Sequence, residues 1–318
     1  AGELMSHASS ALFQAKANGR RSVGWYVPPL KAAGRIRLKM LSGLHKAIER
    51  GEFELHYQAC LDARAGTVIG VEALARWRHE GVFVPPLEFI ALAEESGLIV
   101  QLGEWAIGEA SRQMRQWTDA GLQVPRVSVN ISTLHFGMQS LAESVRAAIR
   151  DHGLAPGMLE IELTESCMVR DFTATLGELH ALKDLGVSLS LDDFGTGYSS
   201  LSYLTRLPID KLKIDRSFVR LLGASADGEA IVRAIVALGQ SLRLELVAEG
   251  VETAAQAKML LDMGCVGIQG FLLATPVPAV HLPASITRAR RRAASLAGGP
   301  ARTGESPDGP DARAALSR

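Results

Sequence analysis

The amino-acid sequence predicts an α/β fold: a modified TIM (β/α)8 barrel with one antiparallel strand. Two observations lead there. Short β-rich hydrophobic runs alternate with helix-like stretches, the texture of parallel strands joined by helical crossovers. The runs VIGVEALARW, VSVNIS, LEIELTES, VSLSLDDFG, IDKLKID, ELVAEGVE and VGIQG each deliver a carboxylate, amide or lysine at or near one end. Barrels of this kind do their chemistry at the C-terminal ends of their strands.

At the N-terminus, residues 3–18 carry helical periodicity, with Leu4, Met5, Ala8, Ala11, Leu12 and Ala15 on one face, and Gly19 ends the run. Residues 23–27 (VGWYV) read as a short strand that Pro28-Pro29 terminates. A lone helix and strand bury no core of their own, so residues 1–30 are expected to be the end of a domain that starts outside this chain. The stretch ALFQAKANGRRSVGWY resembles the last helix and strand of a GGDEF diguanylate cyclase domain. The signature loop of that family is absent, so the resemblance implies no synthase activity. Residues 31–50 form a linker, with RIRLKMLSGLHKAIER as an amphipathic helix.

Residues 51–285 are expected to form the barrel. EFELHYQAC and TVIGVEALARW are joined by LDARAG, too short for a parallel crossover, so they make an antiparallel hairpin. Helices follow at PLEFIALAEESG and about 101–120. Then come VSVNIS, a helix near 139–152, LEIELTE, a helix near 172–185, and VSLSLDD. LSYLTRL is a short helix before IDKLKID, a helix near 227–241 precedes ELVAEGVE, and one near 253–263 precedes VGIQG. Counting the hairpin, eight strands emerge, one of them reversed. Residues 286–318 form a basic stretch and then a Gly-, Pro- and Ala-rich tail, with disorder expected beyond about residue 295. The arginines at 288–292 read as a solvated helix end.

The composition narrows the function classes. Hydrophobic residues make up 47% of 318, which supports a large core. Lys plus Arg (34) equals Asp plus Glu (34), so bulk charge points to neither DNA nor a polybasic membrane surface. Any anionic substrate must be attracted locally. Cys60, Cys167 and Cys265 are widely spaced, with no zinc-finger spacing, and read as small buried residues of a reducing compartment. No apolar run is long enough to span a bilayer and no signal-peptide order is present, so the chain is expected to be cytoplasmic, with a membrane-anchored full-length protein still compatible.

The chemistry-bearing residues are Glu72, Asn130, Glu162, Asp192 with Asp193, Lys213, Glu249 and Gln269. The five carboxylates, converging on one pocket, repel each other unless cations sit among them. Oxygen donors without histidine or thiolate suit Mg²⁺ or Mn²⁺ over Zn²⁺. Asp192 and Asp193 are neighbours on a strand, so a regular strand aims them to opposite faces; the Gly195 and Gly197 loop offers a bend that brings both inward. Two ions in such a site activate water and stabilise both oxygens of a phosphoester displacement. Lys213, among acids, keeps its charge and orients a water or a phosphate oxygen; a Schiff-base role needs a depressed pKa, which acidic neighbours oppose. Glu249 is a candidate base or water-mediated metal partner, and Glu165 a candidate support for the glycine loop.

EALARW (72–77), SVNIS (128–132), ELTES (162–166), DDFGTGYSSLSYL (192–204), LKID (212–215), VAEGVE (247–252) and QGF (269–271) together resemble the motif series of EAL-domain cyclic di-GMP phosphodiesterases. The resemblance runs from about Glu52 to Pro278, in order and with the family's spacing. It implies that Glu72, Asn130, Glu162 and Asp192 hold one Mg²⁺ or Mn²⁺, and that Asp192 and Asp193 serve a second, with Glu249 direct or through water. It implies further that Lys213 positions the nucleophilic water and that Glu165 tethers the DFGTGYSS loop, which also supports a homodimer. Gln58, Leu74, Arg76 and Gln269 match positions near the dinucleotide. QAC at 58–60 departs from the family's usual QP-aliphatic and removes no ligand. The implied reaction is hydrolysis of cyclic di-GMP to linear pGpG, under the control of upstream regulatory domains outside this chain. The alternative is a catalytically silent cyclic di-GMP receptor, and the intact ligand set disfavours it.

Overall fold

The computed structural model of the chain describes residues 30–136, 141–168, 172–195 and 204–296, together with Met5, Ala8, Ala11 and Leu12. Those four lie in helical conformation; the rest of the expected GGDEF-like remnant falls outside the described residues. Of LSYLTRL (201–207), expected as a short helix, residues 201–203 lie outside the described residues; Leu204 is helical and Thr205–Leu207 form a turn and bend.

Helix α1 (Leu30–Ala47) leads into the hairpin of β1 (Phe53–Asp62) and β2 (Thr67–His79). The turn between them is local chemistry: Asp62 Oδ1 accepts from the backbone N–H of Arg64 and Ala65, each at 2.8 Å, and Gly66 takes φ +69°. Strand β3 (Val82–Val84) folds back on the far end of β2. Helix α2 (Pro86–Ser96) begins with proline at its first position and stops at Gly97, whose φ of 76° is the left-handed cap.

After α3 (Ile99–Asp119) the chain alternates: β4 (Val127–Ile131), α4 (Leu141–His152), β5 (Leu159–Thr164), α5 (Phe172–Asp184), β6 (Ser188–Phe194) and β7 (Lys211–Ile214). Then come a short α6 (Arg216–Val219), α7 (Ala226–Ser241), β8 (Glu245–Ala248), α8 (Ala254–Met263) and β9 (Gly267–Ile268). A capping box of Thr253 and Gln256 opens α8.

Strands β2, β4, β5, β6, β7, β8 and β9 run parallel in that order. Strand β1 pairs antiparallel with both β2 and β9 and closes the ring. The barrel therefore has eight strands with one reversed, as the hairpin demanded. Strands β3 and β10 (Val277–Pro278) are short additions that the sequence patterning did not signal. Helix α9 (Leu282–Leu296) packs on β1. Ile286, Ala289 and Ala293 are buried, while Arg288, Arg290 and Arg291 line its exposed face.

Outward-facing apolar residues of the strands, such as Val127, Val129, Ile161, Leu189 and Leu212, meet the helices in one continuous core. A second cluster of Leu44, Ala47, Phe53, Trp77, Phe89 and Leu92 seats α1 and α2 beside the β1–β2 extension. No helix among the described residues is long and apolar enough to cross a membrane.

Candidate functional site

Period-two alternation fixes which residues point into the barrel. Along β5 these are Glu160 and Glu162; along β7, Lys211 and Lys213. Both pairs meet across the intervening β6, forming two stacked tiers. In the upper tier Lys213 Nζ lies 2.6 Å from Glu162 Oε2 and 3.0 Å from Asp192 Oδ2, with Glu72 Oε2 at 3.8 Å. It also pairs with Glu249 Oε1. One oxygen each of Glu72, Glu162 and Asp192 fall within 4.8 Å of one another, and all three residues are buried.

An amide relay borders this cluster. Asn130 Nδ2 donates to Glu72 Oε1 at 2.6 Å, and Gln269 Nε2 donates to Glu72 Oε2 and, at 3.2 Å, to Gln58 Oε1. Gln58 Nε2 donates in turn to the carbonyl of Ala274 at 2.8 Å. Leu74 and Arg76 lie two and four residues beyond Glu72 on the same face, about 7 and 13 Å along the strand. Both are half-buried and stand outside the acidic ring.

Asp193 is not one of the three carboxylates that close to within 4.8 Å of one another, and its backbone departs from a regular strand. The expected bend at Gly195 and Gly197 begins earlier, at Asp193 itself, whose φ is +53°. The β6–β7 pairing shifts register between Leu191 and Phe194, so Asp192 and Asp193 sit in a bulge. That breaks the alternation which would send the two carboxylates to opposite faces. Asp193 hydrogen-bonds Asp215, and its pKa is raised by burial, then by Asp192 and Asp215. Glu165 opens the turn after β5, and its Oε2 accepts from the N–H of Gly195 at 3.2 Å, which ties the start of the glycine loop. Residues 196–203, the remainder of that loop, lie outside the described residues, and the expected dimer contact falls there.

The electrostatics explain what the cluster lacks. Burial opposes the charge on Lys213, but Glu162, Glu249, Glu72 and Asp192 overcome it and hold the ammonium well above its ordinary pKa. One ammonium cannot compensate that many carboxylates. Burial, reinforced by Glu72 and Asp192 against the pull of Lys213, keeps the Glu162 carboxyl well above its usual range. Burial likewise pushes Glu249 up to about 8. The five carboxylates (Glu72, Glu162, Asp192, Asp193, Glu249) would outnumber the lysine by four charges if all ionised, and the raised pKa of Glu162, Glu249 and Asp193 shows that they resist ionising without further positive charge. Hard, oxygen-only donors with that deficit fit divalent cations of the Mg²⁺ or Mn²⁺ type.

The lower tier was missed from sequence, although LEIEL and DKLKID carry it in plain alternation. Lys211 Nζ lies 2.8 Å from Glu160 Oε1, and Arg126 bridges Glu160 (3.1 Å) and Glu245 (3.2 Å). These four charges balance. Cys60, Ser128 and Val247 help line a cavity of about 10 Å³ between the tiers.

Comparison with known proteins agrees with this geometry. The family model described as "EAL domain" matches residues 42–276. The bifunctional diguanylate cyclase/cyclic di-GMP phosphodiesterase MucR of Pseudomonas aeruginosa is 48% identical over 285 residues, 89% of this chain and 42% of the relative. The cyclic di-GMP phosphodiesterase NbdA of the same organism is 43% identical over 282 residues, 88% of this chain and 36% of the relative. The chain thus spans less than half the length of these curated relatives. A solved structure described as "PaMucR Phosphodiesterase, c-di-GMP complex" superposes with a TM-score of 0.74 at 51% identity, covering 77% of this chain and 99% of the other.

Proposed function

This chain belongs to the EAL domain family, and on that premise we propose that it hydrolyses cyclic di-GMP to linear pGpG with two Mg²⁺ or Mn²⁺ ions. The observation that carries the reading is a cluster of buried oxygen donors, Glu72, Glu162 and Asp192 within 4.8 Å of one another, whose carboxylates outnumber the one lysine among them and which divalent ions would neutralise. Glu72, Asn130, Glu162 and Asp192 would hold one ion, and Asp192, Asp193 and Glu249 the other. When bound, the ions supply Lewis acidity toward water and neutralise charge on the phosphoryl oxygens.

The protein's own groups do the rest. Lys213, pinned among four carboxylates, orients the attacking water and stays a cation throughout. Glu249 is the proton acceptor. Water adds to phosphorus, one P–O bond of the ring opens, and the released ribose oxygen takes a proton. Gln58, Leu74, Arg76 and Gln269 seat the dinucleotide along β1, β2 and the end of β9. Glu165 holds the glycine loop through the N–H of Gly195. Upstream regulatory domains outside this chain and a homodimer through the DFGTGYSS loop complete the proposal, with the barrel acting in the cytoplasm.

Chromatography of cyclic di-GMP incubated with the protein tests this. A single pGpG peak with Mg²⁺ or Mn²⁺, lost with EDTA and in Glu72→Ala, is the expected result. Binding without turnover in either ion would instead mark a receptor.

A further inference from the structure

The strip of barrel wall beyond Glu72 continues the site outward. Cross-strand partners on one face of the β1–β2–β3 ribbon run, rung by rung, Gln58 with Glu72, His56 with Leu74, Glu54 with Arg76, and finally Arg78 with Phe83. From Glu72 to Arg78 is six residues, about 20 Å of strand. The last rungs are built from groups that the hydrolytic chemistry does not use.

The Arg78 guanidinium carbon lies 4.1 Å from the centroid of the Phe83 ring. The His56 ring meets Phe83 edge-on, with centroids 5.7 Å apart and planes at 79°. Glu54 organises the group: its Oε1 accepts from His56 Nε2 at 2.9 Å and faces Arg78 at 3.5 Å. Phe83 nevertheless keeps 39% of its surface exposed. It is a large aromatic held flat in a short strand by a stacked cation, with open surface to spare and Arg76 one rung closer to the metal-ligand cluster.

We infer that the Phe83–Arg78 pair, walled by His56, is a stacking platform for the purine base of the substrate that lies farther from the reacting phosphodiester. The inference rests on the reading of the site as a cyclic di-GMP phosphodiesterase and adds a subsite to it. A cyclic dinucleotide has two phosphodiesters on opposite sides of its ring and a base projecting from each ribose. With one phosphodiester at Glu72, the other falls near the Leu74 and Arg76 rungs, where a guanidinium meets it. The far base then reaches the next rung, where an aromatic ring and a guanidinium present flat faces. Stacking of a base on such groups is tolerant of geometry and strengthens binding about five- to a hundred-fold per base. Because the platform is remote from the bond being broken, it acts on substrate capture, so its loss appears in KM.

The test is steady-state hydrolysis of cyclic di-GMP by the whole chain in Mn²⁺, comparing wild type with Phe83→Ala, Phe83→Trp and Arg78→Ala, each checked by thermal melting. Phe83→Ala is expected to raise KM about ten-fold with kcat changed less than two-fold, Arg78→Ala to raise it less, and Phe83→Trp to restore it. An unchanged KM in Phe83→Ala, or a fall in kcat alone, overturns the platform. If Phe83→Ala melts early, Arg78→Ala decides by the same criterion. A wild-type protein that neither binds nor hydrolyses cyclic di-GMP would overturn the functional reading itself, a failure distinct from an unaffected KM in an active enzyme.

Discussion

Lys213 and Glu162 meet across the barrel, Nζ to Oε2 at 2.6 Å, although β6 lies between their strands. The contact spans the interior and is shared with Asp192, Glu72 and Glu249. It makes Lys213 the one cation of the upper tier among the described residues, fixed by several partners at once.

Replacing Lys213 with Met keeps most of the stem and removes the charge. Turnover of cyclic di-GMP should fall by about 10²–10³-fold, the usual cost of losing a positioned charged donor. Arginine should not rescue it, because a planar fork does not fit a site shaped around a point charge. Initial rates in Mn²⁺ measure this, and retention of a tenth of wild-type turnover by either variant would contradict the role.

At Asp193 the backbone and the carboxylate make separable demands. Asparagine tolerates the left-handed region, so Asp193→Asn should melt close to wild type while binding the second ion more weakly. Asp193→Val forces a β-branched residue to φ +53° and should cost about 1–3 kcal/mol more. Urea titration and Mn²⁺ isothermal titration of both variants separate the effects. Equal stability of Asn and Val variants would show that the bulge carries no strain.

Below the site, Glu160→Ala takes from the buried Lys211 its partner at 2.8 Å and leaves it only Glu245 at 3.8 Å, while Arg126 keeps Glu245. The expected loss is about 3–5 kcal/mol, as for breaking a buried pair from one side. The double variant Glu160→Gln with Lys211→Met removes the pair together and should recover part of that loss. Chemical denaturation of the two variants is the check, and a single variant as stable as wild type would show the lower tier to be dispensable.

Glu249 predicts a pH dependence. Folded, its carboxyl holds a proton up to about 8; the ordinary value is 4.5. Between these values the folded state binds more protons than the unfolded one, so its contribution to stability is complete below the lower value and is lost as pH rises through the upper one. In EDTA, the stability of wild type relative to Glu249→Gln should therefore fall from about pH 5 to 8. Saturating Mn²⁺ should flatten the curve, because the ions favour the ionised carboxylate. A difference that rises with pH in EDTA would reverse the assignment.

Much of the site was legible from residue patterns. Asn130, Glu162, Asp192 and Lys213 could be placed because each sits near the end of a short hydrophobic run, and a parallel barrel gathers such ends. The ELTES run leaves Glu165 as a support for the glycine loop, and Glu165 accepts from the N–H of Gly195 at the start of that loop. The reversed strand followed from a turn too short for any crossover. Glu160, Lys211, Arg126 and Glu245 escaped notice for a physical reason. Charged residues near the start of a strand look like solvated ends until the closed barrel shows that they face one another inside it. Phe83 was equally silent, since a single aromatic in a three-residue strand has no periodicity to announce it.

By itself, the sequence determined the eight barrel strands, the alternation of inward and outward positions, and the hard-oxygen character of the donors, because these depend on neighbours within a few residues. Only the tertiary structure decided which inward residues share a level, that Lys213 serves four carboxylates, and that Asp193 bonds Asp215 from a bulge. Those relations are set by strand register and by closure of β1 onto β9, which join positions more than two hundred residues apart. No local pattern encodes such a distance; hydrogen bonding between strands and packing against one core impose it.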